Sequence, residues 1–468
     1  VEGNGKTRVE TGDPRFWGNF LRYGYATLDF SEVDKPGVYE LTYGETRSHP
    51  FRIAEDILKH NTWQPTLEYY LPVQMCHMRV NEKYRVWHGI CHLDDALMAP
   101  TDHNHFDGYR QGPSTLCDHH SGDPVPGLNA GGWHDAGDYD LRVESQAGTV
   151  HRLAMMIEEF GLDHDATFVD PENKIVEIHQ PDGKSDVLQQ IEHGLDAILG
   201  GYRSTGMHFR GIICPTLRQY VMLGDAASMT DNLQYDPALA EHELALGRSG
   251  VKDDRWVFTQ ENPGRQLGVA AALANAARVL KTSNPELADE SLATAKALWE
   301  SASGSGTGTA SRGRRGFSSR VQALSELILT TGDQELIRQL VSMEKQIIEQ
   351  IGRCGWSLGR VIHLIEDESF KNNIASAVAN YQQELKQQQA SDSPYGVPYK
   401  PNIWGAGWTI QRFGVEQYFF HKGWPEHTPT DHFENALNFM LGVHPGINNS
   451  SFASGVGTNS VTTAYGVN

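Results

Sequence analysis

At 468 residues the chain is too long for one ordinary hydrophobic core, so two or more domains are expected. Its 39 Lys and Arg against 59 Asp and Glu leave a formal charge of −20, with the acidic residues spread along the chain. That balance excludes nucleic acid and anionic lipid as partners, since phosphate binding rests on basic patches, and no apolar stretch reaches the length of a membrane span; a neutral polymer remains compatible.

The first fifty or so residues read as β. Tyr39, Leu41 and Tyr43 alternate with more polar neighbours after the turn chemistry of Asp34-Lys35-Pro36-Gly37, and Phe51 and Ile53 give a second short alternation. From about Ile57 the pattern becomes helical. Val150, Ala154 and Ile157 form an apolar face ending at Gly161, and Val187, Ile191, Leu195 and Ile198 form another ending at Gly200-Gly201. Asn262-Pro263 and Asn284-Pro285 open two more helices, with Pro in the first turn, and Val321, Leu324 and Ile328 carry a further one stopped by Gly332. Helix follows helix with little strand between, which predicts a mainly α hairpin architecture: a bundle, a solenoid or a closed α/α barrel. No fixed-period repeat supports the solenoid. The Gly/Ser-rich stretch 301–316, with three arginines, reads as a flexible connector rather than a lid.

The segment Gly131-Gly132-Trp133-His134-Asp135-Ala136-Gly137-Asp138-Tyr139-Asp140 sets two carboxylates three residues apart between glycines. Such a pair suits a tight loop in a cleft. One carboxylate can activate water in glycoside hydrolysis by inversion, or the pair can hold a metal; an ordinary Asx-turn loop has the same composition. Five scattered cysteines are not a disulfide framework. Cys76, Cys91, His92 and His134 are thiolate and imidazole donors of the kind that close a four-coordinate zinc site, although their spacing is not that of a standard finger. Buried unligated thiols beside a satisfied histidine would look the same in sequence. Cys117-Asp118-His119-His120 is a rival cluster.

Further text agrees with the glycine-flanked segment. Gln74-Met75-Cys76, the stretch HGICHLDDA at 88–96, YKPNIWGAGW at 399–408 and LGVHPGINNSSFASGVG at 441–457 accompany GGWHDAGDYD. Together they resemble the signature elements of glycoside hydrolase family 9, from about Thr62 to the last residue. The resemblance implies an (α/α)6 barrel over 58–468, preceded by a partial immunoglobulin-like β-sandwich over 1–57. It implies an endo-β-1,4-glucanase acting on cellulose or related β-glucans with inversion. Asp138 matches the general base and Asp135 the carboxylate that helps hold the attacking water.

The family's general acid is a glutamate in text that would follow Asn468, and Glu366, Glu368 and Glu416 do not stand in matching text. Proton transfer to the leaving group is worth roughly 10²–10⁴ in rate, so this stretch of chain alone is expected to be weakly active or inactive. The resemblance also implies a structural zinc on Cys76, Cys91, His92 and His134. Calcium occurs in the family but is not placed by spacing here.

Trp87, Trp133, Trp256, Trp404 and Trp408 fall in matching segments. Trp404 and Trp256 are the expected sugar platforms, because an aromatic face packs against the C–H face of a sugar ring; Arg412 and His444 are the expected hydroxyl contacts. Two competing readings are a zinc-dependent hydrolase and a non-catalytic glucan-binding protein. The chain opens at Val1 without a leader, so an extracellular or periplasmic address rests on the polymeric substrate alone. Oligomeric state is not legible.

Overall fold

The computed structural model describes residue 10 and residues 12–60, 62–101, 116–135, 140–214, 230–304, 314–402, 405–445 and 451–452. Contacts divide the chain into two units, one of 1–65, 379–421 and 425–461, the other of 66–378, 422–424 and 462–468.

In the first unit a hairpin joins strands Arg15–Phe20 and Tyr23–Thr27, and Gly37–Tyr39 pairs antiparallel with Phe51–Ile53. The single strand expected through Tyr39, Leu41 and Tyr43 is broken, because Leu41 turns its backbone to Ser48: Ser48 N donates to Leu41 O at 2.9 Å and Leu41 N to Ser48 Oγ at 2.9 Å. Thr42–Tyr43 then forms its own small hairpin with Thr46–Arg47. The aromatic side chains of the first hairpin meet the late part of the chain. Phe20 packs edge-on against Tyr399 with ring centroids 5.0 Å apart, and Tyr395 OH donates to Tyr25 OH at 3.1 Å. Beneath them lies a core of Val397, Ile410, Ala436 and Phe439.

The second unit is the helical array. Helix Pro263–Leu280 is apolar nearly all round, with Leu267, Ala270, Leu273, Ala274 and Ala277 all buried, which is the mark of a helix surrounded by others. It packs against Pro285–Gly304, Arg314–Thr331 and Val143–Phe160, and the last of these also packs on Asp186–Thr205. Asn262 caps it by accepting from Arg265 N, with Pro263 in the first turn. Gly161 and Gly332 end their helices at φ 58° and 64°, as the sequence predicts. The helix expected to stop at Gly200-Gly201 instead runs to Thr205 and ends at Gly206. Those two glycines serve close packing: a Cβ at Gly200 would lie 2.1 Å from Gly127 O, and one at Gly201 would lie 2.4 Å from the Phe209 ring.

More strand is present than expected between the helices. One four-stranded sheet takes Leu141–Arg142, Phe209–Ile213, Trp256–Thr259 and Leu97–Met98 in that order. A second takes Thr167–Asp170, Ile175–Ile178, Arg79–Glu82 and Arg85–His88. Strands of two to five residues are too short to show an alternation of their own. Of the connector 301–316, residues 305–313 lie outside the described residues; helix runs to Gly304 on one side and resumes at Arg314 on the other.

Candidate active site and metal centre

The loop that starts at Gly131 is held by main chain on one side and by helices on the other. Cys76 N donates to Gly132 O at 2.9 Å and His134 N to Gln74 O at 2.9 Å. Gly132 O also accepts from His193 Nε2 at 2.7 Å. Trp133 is buried and fully engaged. Its backbone exchanges two bonds with the Gln146 amide, at 2.8 and 3.0 Å, and its indole N–H donates to Gln190 Oε1 at 2.7 Å. Gln146 and Gln190 sit in helices Val143–Phe160 and Asp186–Thr205, so two helices fix the loop from beneath.

Asp135 follows directly and is half-buried. Its N–H donates to Asp140 O at 3.0 Å, and Ser145 Oγ donates to its Oδ2 at 3.4 Å. Asp140 is fully buried; it accepts from Arg142 Nη2 at 2.9 Å and from Cys214 N at 3.3 Å. Asp138 lies outside the described residues, as does Trp404. Glu144 bridges Arg210 at 2.6 Å and Arg265 at 3.0 Å; burial works against its charge, but the two guanidinium groups hold it below the usual carboxylate range.

The residue before Asp135 belongs to a second constellation. One ligand atom from each of Cys76, Cys91, His92 and His134 lies within 4.8 Å of the others, and all four residues are buried. Cys76 Sγ is 3.8 Å from His92 Nδ1, and Cys91 Sγ is 3.5 Å from His134 Nε2. Tetrahedral bonds of about 2.0–2.3 Å to nitrogen and sulfur give ligand–ligand edges of about 3.3–3.8 Å, so the donor set fits a four-coordinate metal. Protonation fits at three of the four donors, and the Cys91 thiol would give up its proton on ligation. Burial pushes His92 down to about 3 and lowers His134, so both rings are neutral and free to ligate. Burial pushes the Cys76 thiol up, but its bond to Cys91 and the fields of Arg255, His77 and His134 outweigh that and hold it well below the usual thiol range. Its partner Cys91 keeps the proton, raised by the bond to Cys76 and by burial.

The sequence does not point to the groups around this quartet. Arg255, fully buried, forms an ion pair with Asp95 and donates from Nη2 to Cys76 Sγ at 3.3 Å. His77 lies with its Nε2 3.8 Å from the same sulfur and its Nδ1 3.0 Å from Gly131 O. Asp95 stands in the 88–96 stretch, but nothing local marks Arg255 as its partner 160 residues on. Among the described residues no other group of metal-ligand atoms converges in this way. The rival cluster is dispersed: His119 Nε2 donates to Ser204 O at 3.0 Å and His120 faces Asp123.

The remaining candidates are less concentrated. Trp256 is half-buried at the start of strand Trp256–Thr259, against Ala99, Ile213 and Phe258. Trp408 is exposed, and Trp87 is covered by Arg85 at 3.5 Å. Arg412 and His444 belong to the other unit. Arg412 pairs with Glu416 at 2.7 Å, and His444 packs on Phe439 and Phe452 with centroids 5.7 and 5.1 Å apart. Glu368 pairs with Lys371 near the start of its helix.

The Glycosyl hydrolase family 9 model matches residues 64–466. Endoglucanase D of Acetivibrio thermocellus is 22% identical over 472 aligned positions, covering 92% of this chain and 64% of the relative. Its counterpart from a named strain of the same species is covered to 62%, so the chain spans less than two thirds of the curated relatives it matches. Among solved structures, a family 9 protein of Bacteroides ovatus superposes with a TM-score of 0.68 at 16% identity, over 98% of this chain and 81% of that one. A thermostable endoglucanase of Alicyclobacillus acidocaldarius gives 0.63 at 18%, over 97% and 82%. A Zn-binding triple mutant of the family 9 endoglucanase J30 gives 0.66 at 19%, over 93% and 76%. These likenesses give the fold as the mainly α, (α/α)6 architecture of those proteins. The chain belongs to glycosyl hydrolase family 9.

Proposed function

We propose that the protein hydrolyses β-1,4-glucans, cellulose or a related chain, in endo fashion and with inversion of configuration. The observation that carries this reading is the anchoring of the 131–135 loop. Two helix glutamines, a backbone bridge and a buried Cys/His quartet hold the residue next to Asp135, which is the rigidity a water-activating carboxylate pair needs. In this reading Asp138 takes the proton from water, Asp135 orients that water, and a carboxylic acid supplied elsewhere protonates the leaving oxygen. The identity of Endoglucanase D and of the family 9 endoglucanases supports the substrate class. Trp256 and Trp404 would carry sugar rings, with Arg412 and His444 as hydroxyl contacts.

The Cys76, Cys91, His92 and His134 set would hold zinc with no open position, so the metal would fix the loop rather than act on substrate. A 1–57 immunoglobulin-like module before a 58–468 catalytic domain, and an extracellular or periplasmic address, belong to the same proposal.

The test is release of reducing ends from a soluble β-1,4-glucan by the whole natural protein and its Asp138→Asn variant. The variant should lose about 10²–10⁴ in turnover while still binding cello-oligosaccharides. Unchanged turnover would overturn the assignment of the base. Binding without turnover in both proteins would favour the glucan-binding reading. Chelation separates the metal readings: zinc removal should lower the melting temperature, whereas activity lost and restored at constant melting temperature would point to a catalytic metal.

A further inference from the structure

One buried side chain outside the Cys/His quartet reaches a sulfur within it. Arg255 is fully buried and donates from Nη2 to Cys76 Sγ at 3.3 Å. Asp95, also buried, holds the guanidinium in that pose. One of its carboxylate oxygens accepts from the Arg255 main-chain N–H at 3.0 Å, and the other takes Nε of the same residue. A carboxylate gripped at both oxygens cannot rotate, so the planar fork it holds is fixed with Nη2 toward the sulfur. The main chain is fixed as well. Ala96 N donates to Arg255 O at 3.2 Å, and beyond that bond Trp256 and Val257 run parallel to Leu97 and Met98. Successive side chains of a strand point to opposite faces, which sends Arg255 to the quartet and Trp256 to the cluster of Ala99, Ile213 and Phe258.

A guanidinium sealed from water destabilises a fold unless its charge and its N–H groups are met. Asp95 meets the charge, and the Cys76 sulfur takes a further N–H. An N–H donor on a ligand sulfur draws electron density from it and fixes the direction of its lone pairs. Groups placed one layer out from a metal act in this way, and losing one typically costs about 10–100-fold in metal affinity.

We propose that Arg255, held by Asp95, is a positioning residue for the metal centre: its hydrogen bond orients the Cys76 sulfur and sets how tightly the quartet holds its ion. The quartet includes His134, the residue before Asp135, so a ligand held in place at Cys76 also steadies the loop that bears Asp135. The inference rests on the zinc reading of the quartet and not on the choice of glucan.

The experiment puts cobalt in place of zinc in the whole natural protein and in its Arg255→Lys and Asp95→Asn variants. It reads the sulfur-to-cobalt charge-transfer band, and zinc affinity by competition with a chelator. Lysine keeps a positive charge beside Asp95 but lacks the fork that serves carboxylate and sulfur together. Arg255→Lys should therefore keep stoichiometric metal, shift the band to lower energy and weaken zinc binding about 10–100-fold. Asp95→Asn removes the competing charge and leaves the guanidinium to the sulfur, so its band should move to higher energy. A side chain that only fills space would change the melting temperature and leave the band where it is. The same band and affinity in all three proteins would overturn the role of Arg255. A wild type that takes up neither cobalt nor zinc would overturn the metal reading, and this inference with it. If Arg255→Lys does not fold, Asp95→Asn decides alone, and an unmoved band there sinks the proposal.

Discussion

Gly131 adopts φ 69°, and a Cβ built on it would lie 2.4 Å from His193 O and 2.7 Å from the Asp196 side chain. No rotamer relieves a clash with backbone, so Gly131→Ala must either move the helix carrying His193 or displace the loop bearing Asp135. We expect a loss of about 2–4 kcal/mol in denaturant unfolding, the range of a strained left-handed position combined with overpacking. A loss under about 0.5 kcal/mol, the size of an ordinary surface change, would mean the loop is not held as described. The metal quartet makes a second prediction at this scale. Cys91→Ser should lose stoichiometric zinc and lower the melting temperature, and an unchanged zinc content would remove Cys91 from the ligand set. At this scale the sequence was informative where the chemistry is local: the glycine-flanked aspartates and the Cys-His pair stand out as text. Gln146 and Gln190 do not, because they sit 13 and 57 residues from Trp133 inside helices, where nothing in the local pattern distinguishes them from solvated glutamines.

Helices Val143–Phe160, Pro263–Leu280, Arg314–Thr331 and Ile351–Val361 are joined across their buried faces by one ionic cluster. Glu326, fully buried, takes Arg278 at 2.5 Å, Arg360 at 2.8 Å and His151 at 3.1 Å. Glu158 takes the same two arginines, each at 2.7 Å. Burial disfavours the Glu326 charge, but the two arginines and His151 hold it well below the usual carboxylate range. Glu326→Gln leaves the two buried guanidinium groups to Glu158, with Glu159 3.4 Å from Arg360, and should cost about 3 kcal/mol in unfolding free energy, with these two carboxylates limiting the damage. Double-mutant cycles with Arg360→Met should then give a coupling above about 0.5 kcal/mol; additivity would mean the residues do not act as a unit. The sequence showed that these helices exist, since Asn-Pro starts and Gly stops are local signals. It could not show what joins them. The misplaced end at Gly200-Gly201 has the same origin: a glycine pair looks like a stop unless one knows that Gly127 and Phe209 press against it.

For the molecule as a whole, composition gave its size and charge but not its partition. A division read along the chain must be contiguous, whereas Tyr25 and Tyr395 meet across 370 residues. The net charge of −20 likewise hides where charge is costly, and that determines how stability responds to pH. Burial raises Asp253 and Asp254 to about 7 in the folded chain, against about 4 when unfolded, so the folded state holds more protons across that window. Their contribution therefore falls as pH rises from about 4 to about 7 and beyond, and is recovered on acidification. Histidines act oppositely. Burial lowers His208 to about 4, so its contribution is complete above about 6.5 and is lost as pH falls toward 4. The two windows overlap near pH 6.5, where a histidine of the unfolded chain is half protonated, so the carboxylate contribution is read as the difference between the protein and its Asp253→Asn/Asp254→Asn variant. Relative to that variant the protein should gain about 1.5 kcal/mol between pH 8 and pH 6.5, from two groups near pKa 7. Denaturant midpoints of the two proteins at the two pH values provide the measurement. If the gap between the two proteins is the same at pH 8 and pH 6.5, Asp253 and Asp254 do not take up protons on folding, and burial does not raise them as described.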